Sequence, residues 1–293
     1  FLVYLLKAIY LFFFNVVREQ LIFRMRMSFS KQFLRGYLTL PFSYFTTKNS
    51  TELIRYTAFE PDTLASAVDL FLLLLTELFV LLGIISLLIY VQPTVTLIVL
   101  IVFGLTTYYF IFYTKRKISY LGETRKTHEE NRLKFITQIF VGIKEIKIYR
   151  TEFEFVKKYL LSAKKLFRSQ KIMQIIQISP KIWLELIAVL ALTILVFIML
   201  LRSNEQVFII ATLALFAGAG FRLLPSINRA VGSFQRIKYY VPMIDKLYED
   251  LKMINRSRLS EKDEQIINFK NDLSLEKASF SYPNSSKKIL DKI

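Results

Sequence analysis

The sequence contains no cysteine and only one histidine in 293 residues. Disulfides, thiolate nucleophiles and thiolate metal sites are therefore excluded. The lone His128 lies in HEENR and lacks the second histidine of an HExxH zinc pair. It reads as solvated surface on a charged helix. Acidic residues are scarce, with 23 Asp and Glu against 40 Lys and Arg, a formal net charge of +17. Charge of either sign is missing altogether from Leu78 to Thr114, a run of 37 residues (LFVLLGIISLLIYVQPTVTLIVLIVFGLTTYYFIFYT).

That run organises the rest. One membrane crossing takes roughly 20 apolar residues, so 37 are nearly enough for two. Pro93 cannot continue a helix without losing a hydrogen bond, and it drives Gln92 towards extended geometry. The expectation is a tight membrane hairpin with its turn at Gln92-Pro93. An apolar content of 54% and a positive mean hydropathy agree with an integral membrane protein that carries substantial polar parts.

The excess of positive charge invites a nucleic-acid reading, but its distribution argues against that. Seven Lys and Arg lie between Arg18 and Arg55 and sixteen between Lys115 and Lys171, whereas the Gln92-Pro93 turn has none and the segment 202–206 has one. This asymmetry is the positive-inside pattern. It places the basic segments and the C-terminal end in the cytoplasm, near anionic lipid headgroups. No nucleic-acid partner is expected.

Taken in order, the chain reads as long helices. Residues 1–39 form one, apolar to Val17 and amphipathic from Arg18, ended by Pro41. Asn49-Ser50-Thr51 supplies cap-type residues before a short helix at Glu52-Leu53-Ile54-Arg55. Helices over 61–91 and 94–138 form the hairpin, the second continuing past Lys115-Arg116-Lys117 as a charged extension. Phe140 to Tyr159 alternates apolar and charged residues, but its flanks are helical. It reads as a short helix, a bend and the start of a long helix over 152–201. A last helix covers 207–252 and continues through Pro225. Residues 255–264 read as a linker, and the period-two alternation after Gln265 as two short strands. The fold class is thus an all-α membrane protein, a polytopic bundle of five crossings with long cytoplasmic extensions, plus a short C-terminal β segment. Five crossings place Phe1 outside, so a further helix is expected upstream.

Three segments resemble the type I ABC exporters. PFSYFTTKNSTELIR is similar to the family's first coupling segment, FITQIFVGIKEIKIYRTEFEF to its second, and LSLEKASFSYPNSSKKIL to the opening of its nucleotide-binding domain. FRLLPSINRAVGSFQRIKYY is similar to the bacterial lipid-linked oligosaccharide flippases and polysaccharide exporters. The chain departs from the family pattern at Phe59-Glu60-Pro61-Asp62, where Asn-Asp-Val is usual. The resemblance implies residues 1–254 as the ABC transmembrane domain and 265–293 as the start of the nucleotide-binding domain, with the rest of it expected downstream. It implies alternating access driven by ATP and Mg, a dimer with a second copy of the chain, and a bacterial inner (plasma) membrane location. Thr51, Glu52, Arg55, Gly142, Lys144 and Tyr149 then fall on the coupling segments, and Tyr282 on the position that stacks on adenine. No G-x-x-x-x-G-K-[ST] phosphate loop lies within the 293 residues, so the chain alone is expected not to hydrolyse ATP.

Ionisable residues at membrane depth are functional candidates by default. Here they are Lys7, Asp69, Glu77, Lys181, Glu185, Arg222 and Arg229. Lys181 and Glu185, one turn apart, read either as a structural pair or as part of a substrate cavity. Arg222 and Arg229 share a face two turns apart. They read either as headgroup contacts or as a pyrophosphate clamp, since guanidinium matches phosphate bidentately. Lys181, Glu185, Arg222, Asn228 and Arg229 are the cavity candidates, and a lipid-linked glycan or another amphiphile is the expected cargo. Gly218 and Gly220 suggest either close helix packing or a kink, and Lys157 to Lys171 a solvated face. Two other classes remain open: an exporter of drugs, lipids or peptides, and an ion-coupled secondary transporter, which would favour short loops and broken helices.

Overall fold

The computed structural model describes residues 1–47, 50–201, 206–260, 277–281 and 289–291. Eight helices run through it: α1 (Leu2–Leu38), α2 (Phe42–Thr47), α3 (Ser50–Ala58), α4 (Glu60–Val91), α5 (Pro93–Val141), α6 (Ile143–Tyr149), α7 (Glu152–Leu201) and α8 (Gln206–Ser260). Among the described residues, three helical stretches are long and apolar enough to cross a membrane: Thr51–Val91, Pro93–Val141 and Glu152–Ile194. The other two crossings expected from the sequence are α1, whose apolar run is divided by Lys7, Arg18 and Glu19, and α8.

The hairpin forms as its proline dictates. Gln92 leaves the helical region (φ −144°, ψ 78°) and Pro93 opens α5 at its first turn. Its missing N–H costs nothing there, since the first donors of a helix have no partner. Thr96, fully buried, donates its hydroxyl to the carbonyls of Leu88 (3.0 Å) and Gln92 (2.7 Å). In an environment without water, that fastens the turn across both helices.

At the opposite, basic end the helices overshoot any membrane. The 49, 50 and 55 residues of α5, α7 and α8 make rods of about 75–80 Å, against a hydrocarbon core of ~30 Å. α7 and α8 stay helical through Pro180, Pro225 and Pro242. α8 also continues to Ser260, beyond Asn255, where the sequence reads as a linker; residues 256–260 (RSRLS) contain no glycine or proline to stop it. The short helix and bend read after Phe140 are α6 and Arg150, which takes the left-handed conformation (φ 52°). Of the expected strands, the described part is one antiparallel bridge between Phe280 and Leu290; the rest lies outside the described residues.

Two apolar clusters hold the basic end together. One joins Phe33 and Tyr37 of α1, Tyr56 of α3, and Met243, Leu247 and Ile254 of α8. The other joins Ile118 and Leu121 of α5, Met173 and Ile176 of α7, and Tyr239 of α8. Two glycines allow this approach. A Cβ on Gly122 would stand 2.4 Å from the Tyr239 carbonyl oxygen, and one on Gly36 2.6 Å from the Ile254 side chain. Gly218 and Gly220, read as either close packing or a kink, have nothing within 4 Å of an added Cβ, so no close packing forms there.

Gly122→Ala must therefore push α8 off α5, because its obstacle is backbone. The expected cost is about 1–3 kcal/mol, seen as a lowered apparent Tm in detergent. Gly83→Ala, on the hairpin and facing open space, leaves that midpoint unchanged or slightly raised.

Candidate functional site

The first segment read as a coupling element, α3, is built into the basic end through Arg55. This side chain is 1% exposed and its partner Glu60, at the start of α4, is 2% exposed; Nε donates to Oε1 at 2.9 Å. The same guanidinium donates to the Lys126 carbonyl of α5 (3.0 Å) and to Met243 Sδ of α8 (3.5 Å), and approaches Glu130 at 3.6 Å. One residue thus joins four helices. Thr51 is buried, and Glu52 accepts a hydrogen bond from the Tyr56 hydroxyl at 3.0 Å. The unusual Glu60, which departs from the family pattern, is the counter-ion that makes a buried arginine tolerable here.

The second segment differs. Gly142 caps α5, and α6 follows, but Lys144 and Tyr149 are exposed, with Ile146 the one buried side chain of the helix. α6 stands clear of the bundle, whereas α3 is wedged into it.

A second clasp lies beside Arg55. Tyr37 of α1 donates to Asp250 of α8 at 3.0 Å, and Lys246 approaches the same carboxylate at 3.7 Å. Burial, and then the Asp250 charge, hold the Tyr37 phenol far above its ordinary range. Burial and the same anion push Tyr44 up to about 12. Nearer the hairpin, salt bridges continue along α4: Asp69 takes Arg18 of α1 at 2.6 Å. Glu77, 5% exposed, accepts from Ser226 and Arg229 of α8, both at 2.5 Å.

The cavity candidates separate accordingly. Lys181 and Glu185 do pair, at 3.9 Å, but on the outer face of α7, each more than half exposed. Arg229 is engaged with Glu77. Arg222 is exposed and has no ion-pair partner among the described residues. Asn228 keeps a buried side-chain oxygen without a hydrogen-bond partner. Lys7 lies 5.5 Å over the Tyr4 ring. The structure does not gather these five candidates into one pocket. A cavity of about 520 Å³ lies instead between α4, α5, α7 and α8, and none of the five lines it. Tyr282 lies outside the described residues. His128 is half-buried rather than solvated, with burial and then Lys165 lowering its pKa, and its Nδ1 lacks a partner. The basic run from Lys157 to Lys171 does lie on an exposed face.

Sequence reasoning paired neither Arg55 with Glu60 nor Tyr37 with Asp250. Glu60 was visible only as an irregularity in a familiar segment. Asp250, among the surface-like residues of α8, gave no signal at all.

Arg55→Met is expected to cost about 3–5 kcal/mol by leaving Glu60 buried without its cation. Arg55→Met combined with Glu60→Leu recovers most of that loss, as a thermal double-mutant cycle would show. The tyrosines act at alkaline pH. Their folded-state pKa lies above the unfolded value near 10, so their contribution is complete below pH 10 and lost as pH rises towards 12. A pH series of thermal midpoints checks this, with Tyr37→Phe flattening the alkaline decline.

A comparison with known protein families matches residues 1–219 to the ABC transporter transmembrane region. Long multi-pass helices, a proline-turned hairpin and short connectors at the basic end fit that match, and the secondary-transporter reading gives way to it. The chain belongs to the ABC transporter transmembrane region family and is the membrane part of an ABC exporter.

Proposed function

We propose that this exporter moves a lipid-linked oligosaccharide, or an amphiphile of that kind, across a bacterial inner membrane by ATP-driven alternating access. In this reading two copies of the chain form the pathway, with residues 1–254 as the transmembrane domain. Residues 255–264 lead to a nucleotide-binding domain that begins near residue 265, where Tyr282 stacks on adenine and Mg accompanies ATP. The basic segments and the C-terminal end face the cytoplasm.

Two features support it. The first is mechanical: α3 is tied by Arg55 to α4, α5 and α8, three of the four helices that enclose the large cavity. From Lys126 to Tyr108 along α5 is 18 residues, about 27 Å of continuous helix. A push on the connector therefore travels on rigid rods into the apolar region, the kind of bistable rearrangement that couples closure of one part to opening of another.

The second, which carries the choice of substrate, is Arg222. It sits in FRLLPSINR, next to Gly220 and Leu223 of the cavity wall, exposed and without an acidic partner among the described residues. The Glu77 carboxylate acts on Arg222 only through space, and a guanidinium at that depth without a direct counter-ion is costly unless an anion meets it. A phosphate or pyrophosphate linking a lipid to a glycan supplies two matching oxygens. Arg229, already held by Glu77, is the weaker half of the clamp.

The test is transport by the full-length protein in vesicles. Undecaprenyl-pyrophosphate glycan is expected to stimulate the ATPase and to cross the membrane, and hydrophobic drugs to do neither. Arg222→Gln should lower glycan transport at least tenfold while basal ATP hydrolysis holds. Stimulation by drugs alone would instead assign a drug exporter.

A further inference from the structure

We propose that the cavity between α4, α5, α7 and α8 is a binding site for one acyl chain of an anionic membrane phospholipid. Its wall includes Gly220 and Leu223 beside Arg222 but not Arg222 itself, and it does not rest on the oligosaccharide reading.

The dimensions come first. Along α4 the wall extends from Leu74 to Leu88, 14 residues or about 21 Å of helix. A volume of about 520 Å³ along that length has room for a long, narrow occupant. Carbon atoms in contact stand about 4 Å apart, so a hydrocarbon chain fits the space. With C–C bonds near 1.5 Å, an extended chain advances about 1.3 Å per carbon, and 21 Å takes on the order of 16 carbons. A polyprenyl tail of the undecaprenyl kind is far longer than this.

The chemistry agrees. Of the 24 wall residues none is charged, and only Thr107 and Tyr108 carry a polar side-chain atom. A site this apolar gives water few partners, while each methylene moved into it from water gains about 0.8 kcal/mol. Gly104 and Gly220 widen the wall, and a Cβ added at either would meet nothing within 4 Å.

Charge selects the headgroup. At the basic end the wall closes with Ile111 of α5 and Phe234 of α8. Four residues on, one turn along the same helix faces, stand Lys115 and Lys238, both exposed. Neither has an acidic partner among the described residues; Lys115 rests over the Phe112 ring at 4.5 Å. A chain lying in the cavity places its phosphate at that level, where two ammonium groups favour an anionic lipid.

The full-length transporter is purified from nanodiscs of equal phosphatidylglycerol and phosphatidylcholine with 16-carbon chains, and retained lipid is counted by native mass spectrometry. One phosphatidylglycerol per chain is expected. Gly104→Leu with Gly220→Leu, whose Cβ atoms meet nothing within 4 Å, narrows the cavity and should cut retention at least tenfold, while Gly83→Leu, outside the cavity, leaves it intact. Lys115→Glu with Lys238→Glu should abolish the preference for phosphatidylglycerol but keep one lipid bound. The thermal midpoint of each lipid-free variant separates loss of binding from loss of fold. Undiminished retention in a folded Gly104→Leu/Gly220→Leu protein would overturn the proposal. So would displacement of the phospholipid by added undecaprenyl phosphate, which would assign the cavity to a polyprenyl tail.

Discussion

The seating of α3 among the long helices depends on one buried cation. Arg55 gives its guanidinium to Glu60, to a backbone carbonyl of α5 and to the sulfur of Met243. A charge removed from water in this way is costly unless geometry and hydrogen bonds are nearly complete, and a node of that kind tolerates few arrangements. α3 therefore cannot slide independently of α4, α5 and α8. Apolar packing alone would leave it free to do so, because the surrounding cluster of Phe33, Tyr37, Tyr56 and Leu247 is not directional.

The same logic, repeated along the bundle, sets the order of the helices. Arg18–Asp69 joins α1 to α4, Ser226 and Arg229 join α8 to Glu77 of α4, and Tyr37–Asp250 joins α1 to α8. Each link crosses between helices far apart in sequence, by 51, 152 and 213 residues for the Arg18, Arg229 and Tyr37 bonds. In a hydrocarbon setting, where apolar surface gains little by pairing with apolar surface, polar links and close contacts decide which helices meet. Beyond the membrane, at the basic end, Gly122 lies against the Tyr239 backbone, and α5, α7 and α8 converge there.

The sequence displayed the rods and not the rivets. Helix type, the Gln92-Pro93 turn, the bend after Gly142 and the overshoot beyond the membrane were all legible, since each follows from local apolar runs and proline chemistry. The end of α8 was not, because the polar residues 255–260 suit a solvated helix as well as a linker. Among the candidate residues, Arg55 was marked by its place in a segment, but its burial was invisible: the sequence does not say that Lys126 and Met243 arrive beside it. Arg222 and Arg229 looked equivalent on one helix face, and only the arrival of Glu77 from α4, in direct contact with Arg229 and acting on Arg222 through space, distinguishes them. Lys181 and Glu185 were correctly spaced to pair, yet periodicity could not tell that their face points out of the bundle. Contacts between distant segments are what sequence pattern cannot supply.

The contrast between α3 and α6 gives the account its sharpest consequence. Both are short, and both carry residues read as coupling elements, but one is wedged among four helices while the other stands exposed. Amide hydrogen exchange on the full-length transporter reports the difference directly. If the Arg55 node joins its helices into one block, amides of α3 exchange as slowly as those of α5 near Lys126 and α8 near Met243, and α6 exchanges much faster. Exchange of α3 at the rate of α6 would contradict the account.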